Sequence, residues 1–305
     1  RRLPSHLSEV VGLQKWNPCD QASIESLVAL YRPNEIYNFA AYSTGTGMYD
    51  DPASIGEVNG LAVARMLEAI RVIDPSIRIC QASSREIFGE ALVSPQTELT
   101  PTNPRSPYGA AKLYADSMVR IFRERYGLFS TSAILFNHES PRREFSFISR
   151  KITHAAARIK LGIDRELVLG NLDTLRDWGF AGDYVRAMWL MLQQPTPDDY
   201  VIATGTAHSV RELCQVAFSH VGLDYRDYVR TDPELYRSSE PYPLVGNPAK
   251  AKSILGWETQ LQFGDLIGQM VDNDLSLAER FRQITLTGAG TTTASDSTDK
   301  SIRLS

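Results

Sequence analysis

The sequence predicts an α/β protein: a doubly wound parallel sheet followed by a smaller α+β lobe. Short apolar runs alternate with longer stretches in which apolar residues recur at helical spacing, and that alternation builds parallel sheets covered by helices. Beyond Thr204 the alternation loosens into short helical patterns separated by turn-rich stretches such as 236–248.

Taken in order, Ile36 to Ala41 reads as a strand, and Val58 to Ile73 as a helix with Leu61, Met66, Leu67 and Ile70 on one face. Ile77 to Ala82 is a strand ending in the hydroxyls of Ser83 and Ser84. Tyr108 to Tyr126 is a helix: Ser106 suits the N-cap and Pro107 the first helical position. Ser132 to Phe136 follows as a strand, Asp183 to Leu192 as a helix, and Tyr200 to Thr204 as a strand. Helices are expected at 210–221 and 261–274, and 285–305, rich in Thr, Ser, Gly and Asp, reads as a disordered tail.

The 305 residues are 43% hydrophobic and 22% charged, which suits one large or two modest domains with an ample core. The net charge of −4 and the lack of any basic tract with interleaved aromatics argue against nucleic acid. No apolar run approaches the ~18 residues of a membrane span. Arg1-Arg2-Leu3-Pro4 lacks the apolar stretch of a signal peptide. Cys19, Cys80 and Cys214 have no paired spacing, which points to reduced thiols, a cytoplasmic location and no zinc site.

The chemistry concentrates in Ser106-Pro107-Tyr108-Gly109-Ala110-Ala111-Lys112. A spacing of four puts the Tyr108 phenol and the Lys112 ammonium on one helix face. At a helix start, the dipole and a nearby ammonium both favour phenolate, so Tyr108 is expected to be acidified. Such a tyrosine can take a proton from a sugar hydroxyl. By itself the spacing also fits a half-buried tyrosine and a solvated lysine. Ser84 and Glu86, just past a strand, sit where open α/β sheets bind ligands. Ser84 reads equally as a cap, and Glu86 as a surface carboxylate. No Gly-rich dinucleotide turn stands near the start, and Gly45 and Gly47 read as an ordinary loop.

Longer segments narrow the reading. They are Ile36-Tyr37-Asn38-Phe39-Ala40-Ala41, Gln81-Ala82-Ser83-Ser84-Arg85-Glu86-Ile87-Phe88-Gly89, Asn137-His138-Glu139-Ser140-Pro141-Arg142-Arg143, Leu169-Gly170-Asn171-Leu172-Asp173 and Arg176-Asp177-Trp178-Gly179. With the Tyr108 segment they make the chain resemble the extended short-chain dehydrogenase/reductases that modify nucleotide sugars, and among them the GDP-mannose 4,6-dehydratases, from about Asp20 to Ala278. The resemblance implies a Rossmann-like sheet lacking its first β-α-β part. It puts the cofactor unit at 1–138 and 176–205 and the nucleotide-sugar lobe at 139–175 and 206–284.

The implied activity is an NADP-dependent dehydration of a GDP-sugar, with Ser84, Glu86, Tyr108 and Lys112 as the catalytic set. Cofactor contacts are implied for Arg1, Arg2, Phe39, Ala40, Ala41, Tyr42, Ser43, His138 and Arg143, besides Tyr108 and Lys112. Substrate contacts are implied for Asn137, Lys151, Asn171, Arg176, Arg237 and Glu240, the cations serving a diphosphate. A homodimer or homotetramer is implied as well. Ser84 stands where relatives carry Thr, Arg85 where they carry Ser or Asp, and Glu144 where they carry Gly. These departures admit a GDP-sugar other than mannose, such as a GDP-heptose. An epimerase or 4-oxidase of the same fold, or a non-catalytic nucleotide-sugar-binding remnant, is the competing reading.

Overall fold

A computed structural model describes residues 10–43, 49–236 and 244–288. In chain order the elements are α1 (Gln21–Tyr31), β1 (Glu35–Asn38), α2 (Pro52–Gly56), a π-helical turn (Glu57–Leu61), α3 (Ala62–Ile73), β2 (Arg78–Ala82), a 3-10 turn (Arg85–Ile87), α4 (Pro107–Tyr126) and β3 (Ser130–Leu135). Then come β4 (Asn137–Glu139), α5 (Ile148–Lys160), β5 (Leu167–Leu169), β6 (Leu175–Arg176), β7 (Trp178–Phe180), α6 (Ala181–Leu192) and β8 (Tyr200–Ile202). The chain goes on through β9 (His208–Ser209), α7 (Val210–His220), α8 (Tyr225–Tyr228), β10 (Val229–Thr231), α9 (Ala249–Leu255) and α10 (Phe263–Gly288).

The main sheet runs β1-β2-β3-β8, every pair parallel. Successive side chains of a strand face opposite ways, and β2 and the residues before it divide accordingly. Ile77 and Ile79 join Ile24, Val28, Val63, Leu67, Ile70, Val119 and Phe122 from α1, α3 and α4. Cys80 and Ala82 join Tyr184, Met188 and Met191 of α6 and Ala251 and Leu255 of α9. Helices therefore cover both faces, as the alternation predicts. A separate core gathers α5, α7 and α10 around β5, β10 and Trp178.

Several boundaries differ from the sequence reading. β1 stops at Asn38, because that side chain accepts the Ala40 N–H at 3.1 Å and turns the chain. Leu61, expected in the core with Met66, Leu67 and Ile70, is 39% exposed. The π-turn before α3 shifts the helical register, so one stripe does not run through 58–73. α10 reaches Gly288, well past 274, so 285–288 of the expected tail are helical and 289–305 lie outside the described residues. Among the described residues no helix is long and apolar enough to cross a membrane.

α4 begins and ends as its residues dictate. Ser106 Oγ accepts the Gly109 N–H at 3.0 Å, Pro107 opens the first turn, and Gly127 closes the last at φ 68°. This fixes Tyr108 beside the 3-10 turn at the end of β2.

Candidate active site

The site forms where β2 gives way to the 3-10 turn and meets the start of α4. Ser84 caps the turn, its Oγ accepting the Glu86 N–H at 3.2 Å. The same hydroxyl hydrogen-bonds the Tyr108 phenol. Cap and site residue are thus one and the same. Glu86 is held by its neighbour: Arg85 Nη2 lies 2.9 Å from Glu86 Oε1.

Tyr108 corrects the sequence expectation. Its pKa is raised, chiefly by burial, with the Ser84 hydrogen bond working against that. Glu86 adds to the rise, while Arg143 and Arg85 oppose it. Lys112 is only 2% exposed and turns its ammonium to the Ala82 carbonyl at 2.7 Å. The Nζ stands 5.7 Å from the centroid of the Tyr108 ring. Burial pulls the Lys112 pKa down to about 8. The ammonium is spent on the backbone and on its own desolvation, so it does not carry the phenol below its usual range.

A cavity of about 370 Å³ is lined by residues that include Ser43, His138, Arg143, Phe147 and Ala181. Three residues expected at the cofactor thus meet in one space. His138 Nδ1–H donates to the Phe136 carbonyl at 2.8 Å, and burial lowers the ring's pKa, which favours the neutral form. Arg143 lies 3.2 Å from the buried Glu139 carboxylate and 3.5 Å over the Phe147 ring. Its charge reaches Tyr108, which ties the cavity to the start of α4. Asn137 Oδ1 is buried without a partner, an acceptor that a ligand can satisfy.

Other expected contacts fall elsewhere. Phe39, Ala40, Ala41 and Tyr42 follow β1 as irregular chain, with Phe39 and Tyr42 exposed. Lys151, on α5, donates to the Val168 carbonyl at 3.4 Å, and Asn171 Oδ1 accepts the Asp173 N–H at 2.9 Å. Neither lines the cavity. Arg176 pairs with His208 across β6 and β9 and donates to the Leu175 carbonyl. Arg1, Arg2, Arg237 and Glu240 lie outside the described residues.

A family model described as GDP-mannose 4,6 dehydratase matches residues 2–270. The chain belongs to this family. GDP-mannose 4,6 dehydratase 2 of Arabidopsis thaliana is 47% identical over 265 residues, which covers 86% of this chain and 71% of the relative. The Homo sapiens GDP-mannose 4,6 dehydratase is 40% identical over 292 residues, covering 90% and 78%. Among solved structures, RMD from Pseudomonas aeruginosa complexed with NADPH superposes with a TM-score of 0.80 at 22% identity, covering 87% of this chain and 88% of that one. The dTDP-glucose 4,6-dehydratase of Bacillus anthracis in complex with NAD gives 0.77 at 20% identity, covering 92% and 85%. At such identities these structures speak for the fold alone.

For a member of the GDP-mannose 4,6 dehydratase family, sequence reasoning missed several supporting residues. Asn59, fully buried in the π-turn, grips Tyr42 from both sides: Oδ1 accepts its N–H at 2.8 Å and Nδ2 donates to its carbonyl at 3.0 Å. Asp177 is also fully buried, and accepts from Thr204 N at 2.9 Å, Thr204 Oγ1 at 2.7 Å, Gly205 N at 3.0 Å and Gly246 N at 3.2 Å. It ties the segment after β8 to that around Gly246. Arg150 is buried: it ion-pairs Asp274 at 2.6 Å and donates to the Pro141 and Arg143 carbonyls. The sequence signals none of this, since Tyr42, Thr204, Gly246 and Asp274 lie far along the chain from the residues they meet.

Proposed function

We propose that this chain is a GDP-sugar 4,6-dehydratase, acting on GDP-mannose or a related GDP-sugar such as a GDP-heptose, with NADP as its cofactor. The observation that carries the reading is the meeting of Ser84, Glu86 and Tyr108 at the start of α4, in a chain of this family. The cavity that joins Ser43, His138 and Arg143 and the buried, unpaired acceptor of Asn137 suit the nicotinamide end of a dinucleotide and the sugar beside it. When bound, the cofactor would supply the redox half of the chemistry, hydride exchange with the sugar at C4 and C6.

The chain's own residues do the rest. Ser84 orients the O4 hydroxyl and hydrogen-bonds the phenol. Tyr108 takes the O4 proton; burial opposes its ionisation, and the guanidiniums of Arg143 and Arg85 favour it. A ketone at C4 acidifies the C5 hydrogen, and Glu86 removes it as water leaves from C6. Lys112, anchored to Ala82, and His138, neutral, hold the cofactor's sugar and amide end. Phe39, Ala40 and Ala41 let the dinucleotide lie close to the chain after β1.

The same reading takes 1–138 and 176–205 as the cofactor unit, 139–175 and 206–284 as the sugar-binding lobe, and a cytoplasmic homodimer or homotetramer as the working form. The test is direct. Incubation with GDP-mannose and NADP should yield a 4-keto-6-deoxy product carrying solvent deuterium at C5 when run in heavy water. No dehydration of either GDP-mannose or a GDP-heptose would sink the proposal, and a C4-inverted sugar with no loss of water would favour an epimerase.

A further inference from the structure

The cavity beside His138 has one wall of turn-forming chain: Ser140, Arg142, Arg143, Glu144 and Phe147 all line it. Two turns shape that wall. The Arg143 N–H donates to the Ser140 carbonyl at 2.9 Å, and the Phe147 N–H to the Glu144 carbonyl at 3.3 Å. Such bonds set the shape of a turn, not its place against the rest of the molecule. That place is set from behind. Arg150, in the first turn of α5 and only 3% exposed, sends Nη1 to the Pro141 carbonyl and to the Arg143 carbonyl, the latter at 3.1 Å. Its guanidinium carbon lies 4.5 Å from the centre of the Phe145 ring. Nη2 lies 2.6 Å from Oδ1 of Asp274, which is fully buried on α10. The other Asp274 oxygen accepts from Thr153 Oγ1 at 2.8 Å, so the carboxylate is fixed as well. α10 is anchored in turn, for its Leu266, Ile267, Met270 and Val271 share a core with Ile152 and Ile159 of α5.

A buried ion pair is a poor way to gain stability. Taking both charges out of water cancels most of their attraction, and an apolar pair of similar size often serves a fold as well or better. An apolar pair cannot hold two carbonyls. A guanidinium can, since its donors form a flat fork with fixed angles. We propose that Arg150 and Asp274 are positioning residues for the cofactor cavity: the pair ties the 141–147 wall to α10, so that Arg143 and Phe147 stand ready before the dinucleotide arrives. The inference rests on the reading that this cavity takes the nicotinamide end of NADP. Neither residue lines the cavity, and both act through the backbone of the wall. A wall held in place beforehand need not be ordered on binding, so less affinity is lost to ordering.

The test replaces the pair by Arg150→Met together with Asp274→Leu, which leaves neither charge buried alone and removes the donors to the wall. Thermal melts should place this double variant close to wild type. Titration calorimetry should show it binding NADP about tenfold more weakly. Hydrogen exchange of the amides of 142–147 should be slow in the wild type without NADP, faster in the double variant, and slow again there once NADP is added. A double variant that both melts and binds NADP as the wild type does would make the pair a structural filler and overturn the proposal. If the double variant is unstable or unfolded, the wild type decides. Protection of 142–147 that is complete before NADP is added supports the proposal, and protection that arrives only with NADP overturns it. A wild-type protein that binds no NADP sinks the cofactor reading itself, and this inference with it.

Discussion

Replacing Gly109 by Ala should cost the site far more than it costs stability. Gly109 is the third residue of α4, directly after Tyr108. A Cβ there would stand 2.6 Å from the Glu86 carbonyl oxygen, 3.2 Å from the carbonyl carbon and 3.1 Å from Pro104 Cβ. Non-bonded heavy atoms settle at about 3.5–4.0 Å, so the 3-10 turn must retreat by roughly 1 Å. Its obstacle is backbone, which cannot swing aside as a side-chain tip can. Overpacking costs about 1–3 kcal/mol, and alanine's better helix propensity returns about 1 kcal/mol. The net loss of stability is therefore about 0–2 kcal/mol. The displaced group is Glu86, and a shift of about 1 Å in a reacting group costs about 100-fold in rate. Denaturant titration would read the first quantity and product formation from GDP-mannose the second. A Gly109→Ala variant that turns over within about threefold of wild type would refute the claim that this contact sets the placement of Glu86.

Further outcomes follow from the same contacts. Glu86→Gln should let C4 oxidation proceed, seen as nicotinamide absorbance, and stop release of the dehydrated product; equal loss of both would remove Glu86 as the C5 base. Burial raises the Tyr108 pKa and the Ser84 hydrogen bond is the largest influence against it, so Ser84→Ala should move the alkaline rise of the pH–rate profile to still higher pH, and Ser84→Thr should leave it in place. Asp116 accepts from Ser83 at 2.5 Å and Ser132 at 2.8 Å, and desolvation pushes its pKa up to about 7. In the unfolded chain it ionises near the ordinary value of 3.8, so between these pH values the unfolded state binds fewer protons and stability falls as pH rises. At about 1.4 kcal/mol per unit this amounts to a few kcal/mol, and Asp116→Asn should flatten the fall in pH-dependent melts. Asp177→Asn turns an acceptor toward donors and should cost about 3 kcal/mol in denaturant unfolding, comparable to other broken buried networks.

Local rules were enough to give the order and kind of the main elements, and the start of α4. Those rules are strand–helix alternation, Ser106 and Pro107 as cap and first turn, and the four-residue spacing of Tyr108 and Lys112. The family motifs named Ser84 and Glu86, and the 3-10 turn that carries them packs against α4 because Gly109 gives it room. The electrostatics were settled by folding. The Lys112 ammonium bonds Ala82, thirty residues away in the chain, and so does not acidify Tyr108 as the spacing suggested. The partners of Asn59, Asp177 and Arg150 could not be read from the sequence, because Tyr42, Thr204, Gly246 and Asp274 come near them only on folding. Arg85 was visible as a departure, but its burial and its ion pair with Glu86 were set by the fold of the turn.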